Sequence, residues 1–251
     1  MPVTRTLAED GVLTVALARP ERRNAIDAEL AAALREAFEA AADDAAVRAV
    51  ILTGEGRAFS AGGDLSRFER DWDPREFRHD SHRLTQLVSL VERLEKPTVA
   101  AINGVATGAG TQLALACDVR LMAAGARLVY REGRLGIIPS HGGVTRLVKL
   151  VGLGRAKDVL LGGEEVSSEE ALRLGLVTSV VPDERLLEEA RSRVDVMLAR
   201  SPQAYAAAKR LLWLAANVDL ESGMVAEGLA QSLLIGTEEH KRAVEEARWR
   251  R

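Results

Sequence analysis

The chain carries a single cysteine, Cys117, in 251 residues, which excludes an internal disulfide. Set in the apolar run Leu113-Ala114-Leu115-Ala116-Cys117, it reads as a small buried hydrophobe rather than a catalytic thiol. No stretch approaches the ~20 apolar residues that a membrane span needs, and the opening Met1-Pro2-Val3-Thr4-Arg5 lacks the apolar core of a signal peptide. A soluble, cytoplasmic protein is the expectation. Excess charge of one sign is also missing: the formal net charge is −3 and the basic residues are scattered, so composition shows no footprint for nucleic acid. The G-x-S-x-G elbow of serine hydrolases is absent.

What is present is a series of short strand and helix patterns. A chain this long can bury well over half of its unfolded surface, as one large or two small domains. Residues 12–17 are β-branched and apolar, Asp27 can cap a helix over 28–41, and 47–53 has the run of a buried strand. This is βαβ-like organisation. The charged, poorly periodic segment 66–80, with Pro74, predicts a loop of the kind used for lids and binding elements, followed by a helix over about 81–94. Strands are predicted at 98–102, 119–123 and 128–130, and Ser167 with Glu170 makes a capping-box pattern. Beyond about residue 182 the patterns are helical only: 183–199, 203–216 behind Ser201-Pro202, and two further helices opened by Asp219 and Thr237.

The densest chemistry lies in two glycine-rich turns. Ala58-Phe59-Ser60-Ala61-Gly62-Gly63-Asp64-Leu65 is followed by Asn103-Gly104-Val105-Ala106-Thr107-Gly108-Ala109-Gly110, which leads into an apolar helix. Two such turns can aim two backbone N–H groups at one oxygen, the oxyanion hole that acyl-transfer and enolate chemistry needs. Glycines there permit unusual backbone angles and close approach of a ligand to the main chain.

Other motifs stand in order around them: Arg19-Pro20-Glu21-Arg22-Arg23-Asn24-Ala25, Lys96-Pro97-Thr98-Val99-Ala100-Ala101, Leu135-Gly136-Ile137-Ile138-Pro139, Gly142-Gly143 and Ala171-Leu172-Arg173-Leu174-Gly175-Leu176-Val177. Together they resemble the crotonase superfamily, the enoyl-CoA hydratase/isomerase family, over nearly the whole chain. The resemblance implies an α/β fold, the crotonase (ClpP-like) spiral of ββα units. Residues 1–196 would form the core with an acyl-CoA site, and 197–251 a C-terminal helical trimerisation region. It further implies an acyl-CoA substrate, no cofactor beyond its CoA moiety, no metal, no nucleic-acid or membrane partner, and a homotrimer or dimer of trimers.

Residue by residue, the resemblance makes the N–H groups of Gly63 and Ala109 the oxyanion hole, with Ala109 standing where relatives usually have glycine. The CoA would lie along the first loop, Gly62 included, and the N-terminal turn: the Ala61 carbonyl at the adenine amine, Gly63, Asp64, Leu65 and Ser66 along the pantetheine end, and Arg22 and Arg23 near the phosphates, with Ala25 in the same turn. Arginines there suit phosphate, since their planar fork can pair bidentately. Glu132 falls at one of the two carboxylate positions that the family's hydratases use. At the other, three residues after Ala109, this chain has Gln112. The i+3 spacing puts Gln112 on the face of Ala109, pointing into the site, where an amide can hydrogen-bond but cannot transfer a proton near neutral pH.

With Glu132 as the single general acid/base, the expected reaction is double-bond isomerisation or hydration of an enoyl-CoA through an enolate, isomerisation being the more natural. Flanked by Arg131 and Arg134, Glu132 also reads as a member of a surface ion pair. Two alternatives compete: hydrolysis of a thioester or C–C bond with His141, His79 or His82 activating water, and non-catalytic binding of acyl-CoA. His141 reads both ways, as a titrating group in the site or as a hydrogen-bonder in its loop. Ser140-His141 stands where hydratases typically show Gly-Ala.

Overall fold

In the computed structural model of the protein, which describes residues 1–69, 71–163 and 165–249, the strands from the third to the eighth alternate between two sheets. β1 (Val3–Leu7) pairs antiparallel with β2 (Val12–Leu17), and α1 (Ala28–Asp43) crosses over to β3 (Ala49–Gly54), parallel to β2. A unit of two strands and a helix then repeats. β3, β4 (Ala58–Ser60) and α2 (Pro74–Arg93) form the first, and β5 (Thr98–Ile102), β6 (Val105–Thr107) and α3 (Ala109–Ala116) the second. β7 (Val119–Ala123), β8 (Arg127–Val129) and α4 (Gly143–Lys157) form the third. β9 (Glu165–Ser167), α5 (Ser168–Leu174), β10 (Ser179–Val181) and α6 (Leu186–Leu198) follow. The first strand of each pair joins a six-stranded sheet, β1-β2-β3-β5-β7-β10, and the second a four-stranded one, β4-β6-β8-β9.

The apolar runs decide this layering. Every residue of β3 and β5 is buried, as a parallel strand covered on both faces must be. α1 turns Leu30, Leu34, Ala37, Phe38 and Ala41 inward, a stripe at helical spacing, and Asp27 caps it by accepting the Leu30 N–H at 2.9 Å. α6 covers the six-stranded sheet with Leu186, Ala190 and Val194. All eight residues of α3 are buried, so this helix is a core element that runs out of the site.

Several predicted boundaries move. The helix expected over 81–94 starts at Pro74, because Asp73 accepts the N–H groups of Arg75 and Glu76 and proline fits the first helical turn, where an N–H is orphaned anyway. The predicted loop 66–80 therefore shortens to a 3-10 turn at Leu65–Phe68 and a brief connection. The third predicted strand, 128–130, lies one residue earlier as β8, and 183–199 divides into a 3-10 turn at Asp183–Arg185 and α6.

The C-terminal helices are α7 (Pro202–Ala215), α8 (Leu220–Leu234) and α9 (Glu238–Trp249), with Ser201 and Asp219 capping the first two. α7 is tied to the core through Asp118, whose Oδ2 accepts from Lys209 Nζ (2.9 Å), Tyr205 OH (3.1 Å), and the N–H (2.8 Å) and Oγ1 (2.9 Å) of Thr98. α8 leaves Leu220, Met224, Val225, Leu229 and Leu233 exposed.

Candidate active site

The two glycine turns meet at the end of β4 and the start of α3. Asn24, wholly buried in the left-handed region (φ 57°), pins the first turn by donating from Nδ2 to the carbonyls of Glu55 (2.9 Å), Ala58 (2.8 Å) and Phe59 (3.2 Å). The Ser60 hydroxyl in turn donates to the Asn24 carbonyl at 2.7 Å. Ile26 then forms a parallel bridge with Gly63: the Ile26 N–H donates to the Gly62 carbonyl (2.7 Å) and the Asp64 N–H to the Ile26 carbonyl (3.0 Å). Because neighbouring strand residues point their amides to opposite sides, Gly63 directs its own N–H away from Ile26. Across from it, Ala109 is the first residue of α3, and the first helical bond made there is Gln112 N–H to the Gly108 carbonyl. The Ala109 N–H is thus one of the helix's orphan donors.

Close contact of the turns explains their glycines. Gly62 (φ 82°) and Gly108 (φ 52°) both adopt angles that L side chains avoid, and a Cβ on Gly62 would stand 2.8 Å from the Thr107 carbonyl oxygen. Gly63 and Ala109 consequently share one cleft, of about 280 Å³.

Glu132 closes over this cleft. It is the first residue of a 3-10 turn, Glu132–Leu135, separated from the end of β8 by two residues, and it is 8 % exposed. Its Oε2 is buried without a hydrogen-bond partner, and desolvation raises its pKa above the ordinary 4.5. The surface ion-pair expectation fails: Arg131 turns outward to Glu165, and Glu132 faces Gly108 from the cleft. Tyr130, behind it, keeps a buried hydroxyl whose pKa burial and the Glu132 charge push upward.

Gln112 lines the same cleft, buried, but its Oε1 already accepts the His141 N–H at 2.7 Å. Its NH₂ donates to no described residue and is left to meet a ligand. His141 also lines the cleft; Nδ1 lies 3.1 Å from Thr85 Oγ1, and burial, helped by the nearby Arg67 charge, pushes its pKa down to about 4. It stays neutral at physiological pH. His79 and His82 are exposed on α2 and neither lines the cleft, so they fall away as groups that could activate water there.

Of the remaining expected site residues, Ala61, Gly62 and Leu65 line the cleft. Asp64 and Ser66 line the neighbouring groove between α1 and α2, where the Asp64 carboxylate accepts from the Ser66 N–H and hydroxyl. Arg22 is exposed and 3.4 Å from Asp64, Arg23 is exposed in a left-handed turn, and Ala25 is buried beside them. The sequence reading missed Asn24, Thr85 and Arg67. Asn24 and Thr85 act through backbone carbonyls and a histidine distant in sequence, which no spacing reveals. Arg67 lay in the segment read as loop.

This alternation of strands between two sheets, with a helical tail, is the crotonase fold. The solved structure of enoyl-CoA hydratase from Bacillus anthracis superposes with a TM-score of 0.94 at 34 % identity, covering 100 % of this chain and 97 % of that one. The Enoyl-CoA hydratase/isomerase family model matches residues 8–247, and the chain belongs to that family. It is 36 % identical to the 2,3-dehydroadipyl-CoA hydratase of Escherichia coli (93 % of this chain, 90 % of the relative). It is 34 % identical to the crotonyl-CoA hydratase of Syntrophomonas wolfei (93 % and 90 %).

Proposed function

We propose that this enzyme forms an enolate from an acyl-CoA thioester between the two glycine turns and moves one proton with Glu132, so that its net reaction is a shift of the double bond in an enoyl-CoA. The observation that carries the reading is the buried Glu132 carboxylate with an unpartnered oxygen in the cleft of Gly63 and Ala109. The thioester oxygen accepts from the Gly63 and Ala109 N–H groups, helped by the positive end of α3, as charge develops on it. Glu132 takes the proton from C2 of a 3-enoyl thioester, the electron pair moves through C3, and Glu132 returns the proton to C4. A desolvated carboxylate suits both halves, being a stronger base than one in water and holding its proton long enough to return it.

Gln112 supports isomerisation over hydration, because its free NH₂ can hold an oxygen but takes no proton from water. The names of the relatives favour hydration as the second reading, with Glu132 alone activating water. Supplying a trans-3-enoyl-CoA and a trans-2-enoyl-CoA in parallel and following product mass separates them. Conversion of the 3-enoyl thioester without gain of water, lost in Glu132→Gln, is expected; Glu132-dependent gain of water selects hydration.

The CoA moiety would run past Ala61, Gly62, Asp64, Leu65 and Ser66 toward Arg22, Arg23 and Ala25, and no cofactor beyond it enters this chemistry. The exposed apolar face of α8 supports a tail over 197–251 that assembles the protein as a homotrimer or dimer of trimers. A buried free Cys117 is in keeping with the cytoplasm.

A further inference from the structure

Arg67 is held firmly at the cleft wall, and among the described residues its one polar side-chain contact is the ion pair with Asp80. Its Nη2 lies 2.6 Å from Asp80 Oδ2, its guanidinium stacks over Phe77 at 5.4 Å, and its carbonyl accepts from Trp72 Nε1 at 2.7 Å. Yet Nε is buried without a hydrogen-bond acceptor, and Nη2, paired with Asp80, makes no well-aligned hydrogen bond. The side chain keeps 20 % of its surface open where it lines the cleft and the adjoining groove. A planar fork of five donors, its charge neutralised by Asp80 and most of its donors unmatched, is an unusual wall for a purely alkyl chain, since buried donors are normally satisfied.

His141 stands in the same wall. Thr85 Oγ1 is within reach of the Ser81 carbonyl (3.2 Å) as donor, which leaves His141 Nδ1–H to donate to Thr85 and Nε2 as an acceptor. Phe77, Leu84, Ile137 and Ile138 supply apolar surface around the pair.

We propose that Arg67 and His141 make this end of the cleft a reader of oxygen, so that the acyl chain accepted there bears a neutral hydroxyl or keto oxygen beyond the reacting carbons. A hydroxyl satisfies both groups, accepting from Arg67 and donating to His141. A carboxylate fits less well, because Asp80 already balances the guanidinium. The inference rests on the acyl-CoA reading of the cleft.

The test is binding, by titration calorimetry, of saturated acyl-CoA thioesters of one chain length ending in methyl, hydroxyl or carboxylate, which needs no turnover. The hydroxyl-ended thioester should bind about tenfold tighter than the methyl-ended one or better, and tighter than the carboxylate-ended one. Arg67→Met should erase the difference. Asp80→Asn, which retains Arg67 and removes its counter-charge, should move the preference to the carboxylate. Equal or tighter binding of the methyl-ended thioester by the unaltered protein, or tightest binding of the carboxylate, overturns the inference while leaving the acyl-CoA reading intact. Failure of all three to bind overturns both. Should Arg67→Met not fold, the unaltered protein and Asp80→Asn still decide.

Discussion

The side-chain carbonyl of Gln112 accepts the backbone N–H of His141 at 2.7 Å, tying α3 to the loop that precedes α4. The amide at this position is therefore both a wall of the cleft and a brace between two elements. Gln112→Glu is nearly isosteric and keeps an acceptor for His141, while adding a second proton-transfer group beside Glu132. The expected outcome is a gain of at least about tenfold in hydration of a trans-2-enoyl-CoA. Gln112→Ala instead leaves the buried N–H unpaired, and urea titration should show a loss of about 1–3 kcal/mol.

The Glu132 carboxyl is held above its ordinary 4.5 by desolvation. An acid with a raised folded pKa favours the folded state fully below its unfolded pKa, and that contribution is lost as pH rises through the folded pKa. Glu132→Gln should therefore be more stable than the parent above this window and should level with it toward pH 4. Activity runs the other way under the proposed function, in which Glu132 acts as a base and must be ionised. The rate should climb with pH through an inflection higher than that of an exposed glutamate, and a profile flat down to pH 4 would count against a desolvated base.

His141 has the opposite sign. Its pKa is pushed down to about 4, chiefly by burial, so the stability it contributes is complete above the ordinary 6.5 and is lost as pH falls through about 4. The full effect is on the order of 3 kcal/mol. Two-dimensional NMR of the imidazole signals should show no protonation of His141 between pH 8 and pH 5.

Asn24 carries the first glycine turn, and no other described side chain donates to the carbonyls of Glu55, Ala58 and Phe59 together. Asn24→Ala removes these bonds and places alanine at φ 57°. A loss of at least ~2 kcal/mol is expected from unpaired buried carbonyls and the strained angle. Because Gly63 hangs from the same turn through Ile26, kcat should fall as well. Loss of stability with an unchanged kcat in the folded fraction would separate the turn from the site.

Much of this architecture was legible in local chemistry. Asp27, Ser201 and Asp219 announce helix starts because a cap acts within three residues, and the start of α3 at Ala109 follows from Gly108 and an apolar run. Gln112 lines the cleft as its i+3 spacing requires. The three-residue strands β4, β6, β8 and β9 have no period to read, and β4 and β6 were visible only as glycine turns. Partner choice was equally hidden: Arg131 is adjacent to Glu132 in sequence yet pairs with Glu165, and Arg67 is held at the cleft by Phe77 and Asp80, which lie on the first turns of α2.

In the proposed reaction Glu132 alone exchanges a proton with the carbon next to the thioester. The most direct measurement is uptake of deuterium at C2 of a saturated acyl-CoA in D₂O, followed by mass spectrometry for the parent and for Glu132→Gln. The parent should incorporate deuterium and Glu132→Gln should do so about 100-fold more slowly or worse. Equal incorporation by both, or none by the parent despite bound thioester, would contradict the account.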